Sequence, residues 1–248
     1  MGLSLETTEP MSKKPFRFKE FEVHQDICAM KIGTASVLLG AWADVSFNPD
    51  PILDIGAGTG ILGLMMGQRT SAEVIDAIEI EPDAFEQCVE NFDNSPYGGR
   101  AFCFHADLNE FVEEVDFHFE LIICNPPFFN ETTASPDPKR DLARRASSLP
   151  HDELLLGVSK LLSPQGQFNT IIPYNQHFQF IELAEKVGLF PSRLTYVKGT
   201  PNSETKLVLM AFSFHNVSAI FDNLVIELER HVYTEEYKNL TKDFYLDM

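Results

Sequence analysis

The sequence predicts an α/β fold, a mostly parallel sheet with helices on both faces. Three observations predict it. Short apolar runs of strand length alternate with segments of helical periodicity from residue 49 onward, and parallel strands need such crossover helices. One of these runs, residues 51–55, leads directly into Gly56-Ala57-Gly58-Thr59-Gly60 and then into an apolar helix, the strand–turn–helix order in which glycines let a backbone approach a ligand. Hydrophobic residues make up 44% of the 248 and charged residues 23%, a globular balance with a sizeable core.

In chain order, residues 16–23 (FRFKEFEV) alternate with period 2 and read as a short strand or hairpin arm. Thr34 is placed to cap a helix through Val37, Leu38 and Leu39 to Trp42. After the strand at 51–55 and the helix from Ile61 come a strand at 74–80 and a helix at 83–94, whose Phe85, Cys88, Val89 and Phe92 share a face. Strands follow at 101–105 and 119–124, the second ending at Asn125-Pro126-Pro127-Phe128. A helix at 154–162, a strand at 166–172, a helix at 178–187 closed by Gly188, and strands at 195–197 and 206–214 bring the sheet to seven strands. A further strand candidate spans 224–228, and Tyr237, Leu240 and Phe244 stand at helical spacing, as a packing stripe. Residues 129–150 break the pattern with three prolines and the cluster Lys139, Arg140, Arg144 and Arg145; a loop of that length is functional or disordered. The chain thus divides into a disordered tail (1–12) and one domain (13–248), with an N-terminal lid and helix (13–48), a core (49–214) and a C-terminal extension (215–248).

Nineteen Lys and Arg against 37 Asp and Glu give a formal net charge of −18. A general phosphate-binding surface is excluded, and any nucleic-acid contact must be a local basic patch inside a repelling field. Cys28, Cys88, Cys103 and Cys124 are widely spaced among apolar neighbours and are expected as reduced core thiols. The seven histidines show no metal-ligand spacing, so no metal is expected. Residues 1–10 carry neither a basic flank nor an apolar run, and no stretch approaches ~18 apolar residues. The expectation is a cytoplasmic protein without membrane contact; the oligomeric state is left open, with a monomer slightly favoured.

The glycine turn is G-x-G-x-G, without the third-glycine spacing of a dinucleotide site and without a following G-K-[ST]. Asp54 precedes it and is placed to bond the turn or a ligand's amino group. Glu79 stands about twenty residues on, at a strand's C-terminal end, where a carboxylate takes two ribose hydroxyls. Glu81 and Asp83 compete for that role, but Pro82 starts the next helix and puts them at its entrance. Asp107, past the third strand, is placed to accept an adenine amino proton. Adenosine held without a phosphate site points to S-adenosylmethionine. In Asn125-Pro126-Pro127-Phe128, two prolines rigidify a strand end, so that the Asn carboxamide and the Pro126 carbonyl accept the two hydrogens of a planar amine. Phe128 offers a ring face for a flat substrate.

The order D-x-G-x-G-x-G, acidic strand end, Asp, N-P-P-[YF] resembles the class I S-adenosylmethionine-dependent amino-methyltransferases. That resemblance implies a Rossmann-like sheet with one antiparallel strand near the C-terminus. A closer resemblance lies in Phe16 to Phe21, Gln25-Asp26, Cys28 to Thr34, Leu38 to Trp42 and the ending Lys242 to Leu246. These segments are similar to the bacterial valine-tRNA adenine-37 N6-methyltransferase family. The likeness implies an enzyme of class EC 2.1.1 acting on a valine tRNA at its anticodon loop, with S-adenosylmethionine as methyl donor. It implies that Gly56, Gly58 and Gly60 lie along the donor's methionine part and that Glu79 holds the ribose and Asp107 the adenine. Met30, Lys31 and Thr34 would form a lid, and residues 125–128 the base pocket.

Two positions depart from the family pattern. Ala35 replaces an Asp, removing a polar contact or helix-cap partner. Phe128 replaces the Tyr common among adenine and glutamine modifiers, and N-P-P-F is frequent in guanine-N2 rRNA methyltransferases. A guanine-N2 rRNA enzyme and a protein glutamine N5-methyltransferase therefore stand as alternatives, beside a domain that binds without turnover. Contact with tRNA is expected from Lys13, Lys14, Arg17, Lys19 and Lys31 and from the cluster Lys139, Arg140, Arg144 and Arg145.

Overall fold

In the computed structural model, residues 14–128 and 149–247 are described. Lys13, the basic cluster at 139–145 and the tail assigned to 1–12 lie outside the described residues.

Strands β1 (Phe16–Arg17) and β2 (Glu22–Val23) pair antiparallel as the hairpin that the alternation implies. Its rings pack against the other end of the chain. Phe18 stacks on Tyr245 with centroids 5.9 Å apart, and the Lys19 amide donates to the Phe244 carbonyl at 2.9 Å.

Helix α1 (Thr34–Trp42) has the expected span but a different cap. Gly33 takes the extended cap conformation (φ −115°, ψ 164°) and no side chain caps the helix, so Thr34 is its first residue. Residues Val37 through Trp42 are all buried, as suits a helix apolar on every side.

The repeating unit follows: β3 (Ile52–Ile55), α2 (Ile61–Arg69), β4 (Ile75–Glu79), α3 (Pro82–Asp93), β5 (Ala101–His105), α4 (Leu108–Glu114), β6 (Phe119–Cys124), α5 (His151–Leu161), β7 (Leu162–Pro173), α6 (His177–Lys186), β8 (Phe190–Lys198), β9 (Thr205–Ser213) and β10 (Ile220–Val225). The chain ends with a small ribbon, β11 (Glu227–Glu229) with β12 (Val232–Tyr233), and helix α7 (Glu235–Thr241). Gly188 closes α6 at φ +80°.

The central sheet runs β10-β8-β9-β7-β6-β3-β4-β5. Strand β9 alone is antiparallel to both neighbours, and the other pairings are parallel. The sheet has eight strands where seven were expected. The eighth, β10, pairs with β8 over six residues at the outer edge; only its Leu224 is buried, so its periodic signal is faint. Apolar clusters fill both faces: Ile52, Leu121 and Ile123 point into one, Leu53, Ile55 and Ile122 into the other. That alternation on strands buried on both sides is why β3 and β6 are largely apolar, with Asp54 and Glu120 the exceptions.

Tyr237 and Phe244 are buried and Leu240 packs against the core, the packing role their spacing suggested. All four cysteines are free, and Cys28, Cys88 and Cys124 are buried.

Candidate active site

The parallel strands β3, β4 and β6 end on one side of the sheet, where a doubly wound fold binds its ligand. The first ends in the glycine turn. Gly56, Gly58 and Gly60 have φ of +69°, +56° and +78°, left-handed values that a β-carbon disfavours. A β-carbon at Gly56 or Gly58 would meet nothing within 4 Å, so these two border an open hollow. Gly60 differs, because a β-carbon there would sit 2.7 Å from Phe92 and 2.8 Å from the Cys88 sulfur. It faces α3, and its glycine serves packing.

Two carboxylates hold the turn from below. Asp54 is fully buried; its Oδ2 accepts the Gly63 amide at 3.1 Å, while Oδ1 has no partner among the described residues. Burial pushes its carboxyl up to about 7, with the nearby Glu79 charge adding and the Gly63 hydrogen bond opposing. Glu79, the last residue of β4, accepts the Gly58 amide on Oε2 at 2.8 Å and the Glu81 amide on Oε1 at 2.9 Å. It therefore joins the turn to the neighbouring strand end. Glu81 caps α3 through the Ala84 amide at 2.7 Å, Pro82 occupies the first position, and Asp83 is exposed in the first turn. Both acids thus stand at the helix entrance.

Asp107 is the N-cap of α4, its Oδ1 accepting the Asn109 amide at 2.8 Å. One oxygen is committed to the helix, and no hydrogen bond of the other occurs among the described residues. Between Glu79 and Asp107, Ile80 is 43% exposed although apolar, and the His105 ring pairs with its carbonyl at 3.0 Å while stacking on Phe85. An exposed apolar residue directly after the strand-end acid is a signal the sequence offered and the motif reading passed over.

At the end of β6, Pro126 is buried and Phe128 is 39% exposed. The Asn125 Nδ2 donates to the Ser36 hydroxyl on α1 at 2.8 Å, and its Oδ1, shielded from solvent, has no partner among the described residues. Burial also pushes the neighbouring Cys124 thiol well above its ordinary range, which leaves it protonated and no nucleophile.

The segment at 24–32 is fastened to α3. Asn91 accepts the His24 amide on Oδ1 at 2.7 Å and donates Nδ2 to the carbonyls of His24 and Thr59 at 2.8 and 2.9 Å, and Gln87 accepts the Ile27 amide at 3.3 Å. Both are fully or almost fully buried; Asn91 ties this segment to the glycine turn, and Gln87 ties it to α3. Neither was found in the sequence, since their partners lie 67 and 60 residues away.

Met30, Lys31 and Thr34 are all exposed. Thr34 lines a separate hollow of about 730 Å³ with Phe16, Arg17 and Tyr245, whereas Ser36, about 200° further round the helix, faces Asn125. Of the basic residues, Arg17 pairs with Glu22 at 2.9 Å and Lys19 donates to the Lys242 carbonyl; Lys14 and Lys31 are exposed. Among the described residues no cluster of three metal-ligating side chains occurs and no helix is long and apolar enough to cross a membrane.

Comparison with known proteins identifies the family and the fold. The methyltransferase small domain family matches residues 27–187. In solved structures, a predicted O-methyltransferase from Agrobacterium tumefaciens has the same fold, with a TM-score of 0.66 at 20% identity over 85% of this chain and 96% of that one. A ribosomal protein L11 methylase from Lactobacillus delbrueckii gives 0.55 at 16% over 77% and 83%. A tRNA1(Val) (adenine(37)-N6)-methyltransferase from Christiangramia forsetii is 51% identical over 96% of this chain and all of its own length. One from Flavobacterium johnsoniae is 54% identical over 94% of this chain, again over its full length. The chain belongs to the class I tRNA1(Val) (adenine(37)-N6)-methyltransferase family.

Proposed function

We propose that the chain methylates N6 of the adenine at position 37 of a valine tRNA, with S-adenosylmethionine as donor, in the cytoplasm. The observation that carries the site reading is the Asn125 carboxamide: one end fixed by Ser36, the other shielded and without a partner among the described residues. A buried polar atom left unpaired is costly, and a strand-end carbonyl oxygen of this kind accepts a ligand hydrogen.

The cofactor fits the residues present. Gly56 and Gly58 border an open hollow, and Asp54, two residues before Gly56, keeps a buried oxygen without a partner among the described residues. Glu79 stands at the hollow's edge for the ribose, Asp107 has one oxygen left for the adenine amine, and Ile80 offers an apolar face beside them. S-adenosylmethionine supplies an electrophilic methyl group. Asn125 Oδ1 and the Pro126 carbonyl accept the two hydrogens of the target amine, which turns its lone pair toward the methyl carbon. Positioning and stabilisation of the positive charge that develops on nitrogen are their contribution. As the new N–C bond forms, the methyl–sulfur bond of the donor would break with its electron pair left on sulfur, giving S-adenosylhomocysteine, and one amine proton leaves to water. The base must first leave its stack, which costs a few kcal/mol, and the exposed Phe128 ring offsets part of that cost by stacking.

Nucleoside analysis of total tRNA from cells with and without the gene tests the reading. Loss of N6-methyladenosine from valine tRNA is expected on deletion. Unchanged tRNA nucleosides, with a loss of N2-methylguanosine from rRNA or of methylglutamine from protein, would overturn it in favour of a relative with the same N-P-P chemistry.

A further inference from the structure

We infer that Ser36 is a positioning residue for methyl transfer, holding the Asn125 carboxamide so that Oδ1 rather than Nδ2 meets the target amine. The inference rests on the reading of Asn125 as an acceptor for that amine.

An Asn side chain presents two ends of nearly equal shape and opposite polarity. Only the carbonyl end can accept from an amine; the amide end would set donor against donor. The backbone of Pro126 and Pro127 fixes where the Cα of Asn125 stands, but it leaves the last side-chain torsion, which is broad for Asn, to its neighbours. In this structure the neighbour is the Ser36 hydroxyl, 2.8 Å from Nδ2, with no other recorded partner for either carboxamide atom among the described residues. A hydroxyl can donate as well as accept, so what Ser36 supplies is a fixed partner: with Nδ2 bonded to it, as in this structure, Oδ1 is the end left to meet the amine.

Ser36 suits that task because its helix is fixed at the other end. Arg69 donates to the carbonyls of Gly40 and Ala43 at 2.8 and 2.7 Å. The Trp42 indole donates to Thr195 at 2.8 Å, and the Arg193 guanidinium lies over its ring at 4.7 Å. A short side chain on a braced helix holds its oxygen with little rotamer freedom. The sequence had singled out Ala35 as the place where a polar contact is missing; the polar contact to the site comes one residue later, from Ser36.

The test combines turnover with a readout that needs no substrate. Single-turnover methylation at saturating valine tRNA is measured for the wild type, Ser36→Ala, Ser36→Thr, Asn125→Ala and the Ser36→Ala/Asn125→Ala pair, with donor affinity and melting temperature determined separately. Loss of one neutral hydrogen bond predicts a rate about 3- to 10-fold lower for Ser36→Ala. Donor affinity and melting temperature should stay near the wild type, and Ser36→Thr should restore the rate. Asn125→Ala should fall roughly 100-fold or more, and adding Ser36→Ala to it should change nothing further, since the hydroxyl acts only through the carboxamide. In parallel, side-chain amide NMR of the unliganded chain should show the Asn125 NH₂ rigid in the wild type and in Ser36→Thr, but mobile in Ser36→Ala. An unchanged rate for Ser36→Ala, additivity with Asn125→Ala, or an Asn125 NH₂ equally rigid in all variants overturns the inference. A wild type that methylates no tRNA overturns the functional reading instead, and the NMR comparison then still decides whether Ser36 orients Asn125.

Discussion

Asp54 is the residue whose environment has the clearest thermodynamic consequence. Its carboxyl titrates at about 7 in the folded chain because burial penalises the charged form, against about 3.9 when unfolded. Between those values the folded chain holds a proton that the unfolded chain has released, so stability falls as pH rises through the window. The handicap is absent below about pH 4 and complete above about 7. Asp76, pushed up to about 6 by burial, adds a smaller slope of the same sign. Asp54→Asn should flatten the profile and, near pH 8, be more stable than the wild type by up to roughly 4 kcal/mol. Denaturant unfolding at a series of pH values measures this; parallel profiles for the two proteins would count against it. The fold carries the handicap directly before the glycine turn.

Among the elements, α2 shows how close packing sets the glycine turn. A β-carbon at Gly63 would stand 2.7 Å from the tip of the Phe92 ring, and one at Gly67 2.6 Å from the Tyr97 ring. These two glycines, one turn apart, let α2 lie directly against aromatic side chains in and after α3. Gly63→Ala gains about 1 kcal/mol of helix propensity but forces a buried ring aside, typically at 1–3 kcal/mol. A net loss of about 1 kcal/mol and weaker donor binding are expected, read by thermal unfolding with and without S-adenosylmethionine. The sequence showed such elements well where the burial is two-sided: β3 and β4 are buried at every position and β6 at all but Glu120, and β3 and β6 end where expected, β4 one residue earlier. It did not show α4, seven residues with two buried side chains, and it set the last strand at 224–228, whereas β10 runs from Ile220 to Val225 and buries one residue. The Asp107 to Glu110 spacing was a start signal for α4, masked by the binding role given to Asp107. In the site, Glu79 and Asn125 were legible because strand ends locate them. Ser36, Asn91 and Gln87 were not, since what matters is a partner 60 to 89 residues distant, which no local pattern records.

For the molecule as a whole, the tension is between a net charge of −18 and a polyanionic substrate. The structure sharpens it, because Arg17 and Lys19 are engaged with Glu22 and the Lys242 carbonyl, and Lys14 and Lys31 stay exposed. We propose that attraction comes from Lys139, Arg140, Arg144 and Arg145, which follow Phe128 in the sequence. The double variant Arg144→Ala/Arg145→Ala should weaken tRNA binding and reduce the slope of log affinity against log salt by about 1 to 2. Donor affinity should hardly change. Equal slopes for variant and wild type would place the RNA contacts elsewhere on the chain.

The Asn91 carboxamide has one more consequence. Because the His24 amide is bonded to its oxygen while its nitrogen grips the Thr59 carbonyl, the deuterium uptake of His24 is governed less by its own access to water than by how often Asn91 lets go. An amide in the N-terminal segment thereby acts as an isotope-exchange sensor of the glycine turn. Anything that steadies the turn slows His24, even a ligand that never touches it.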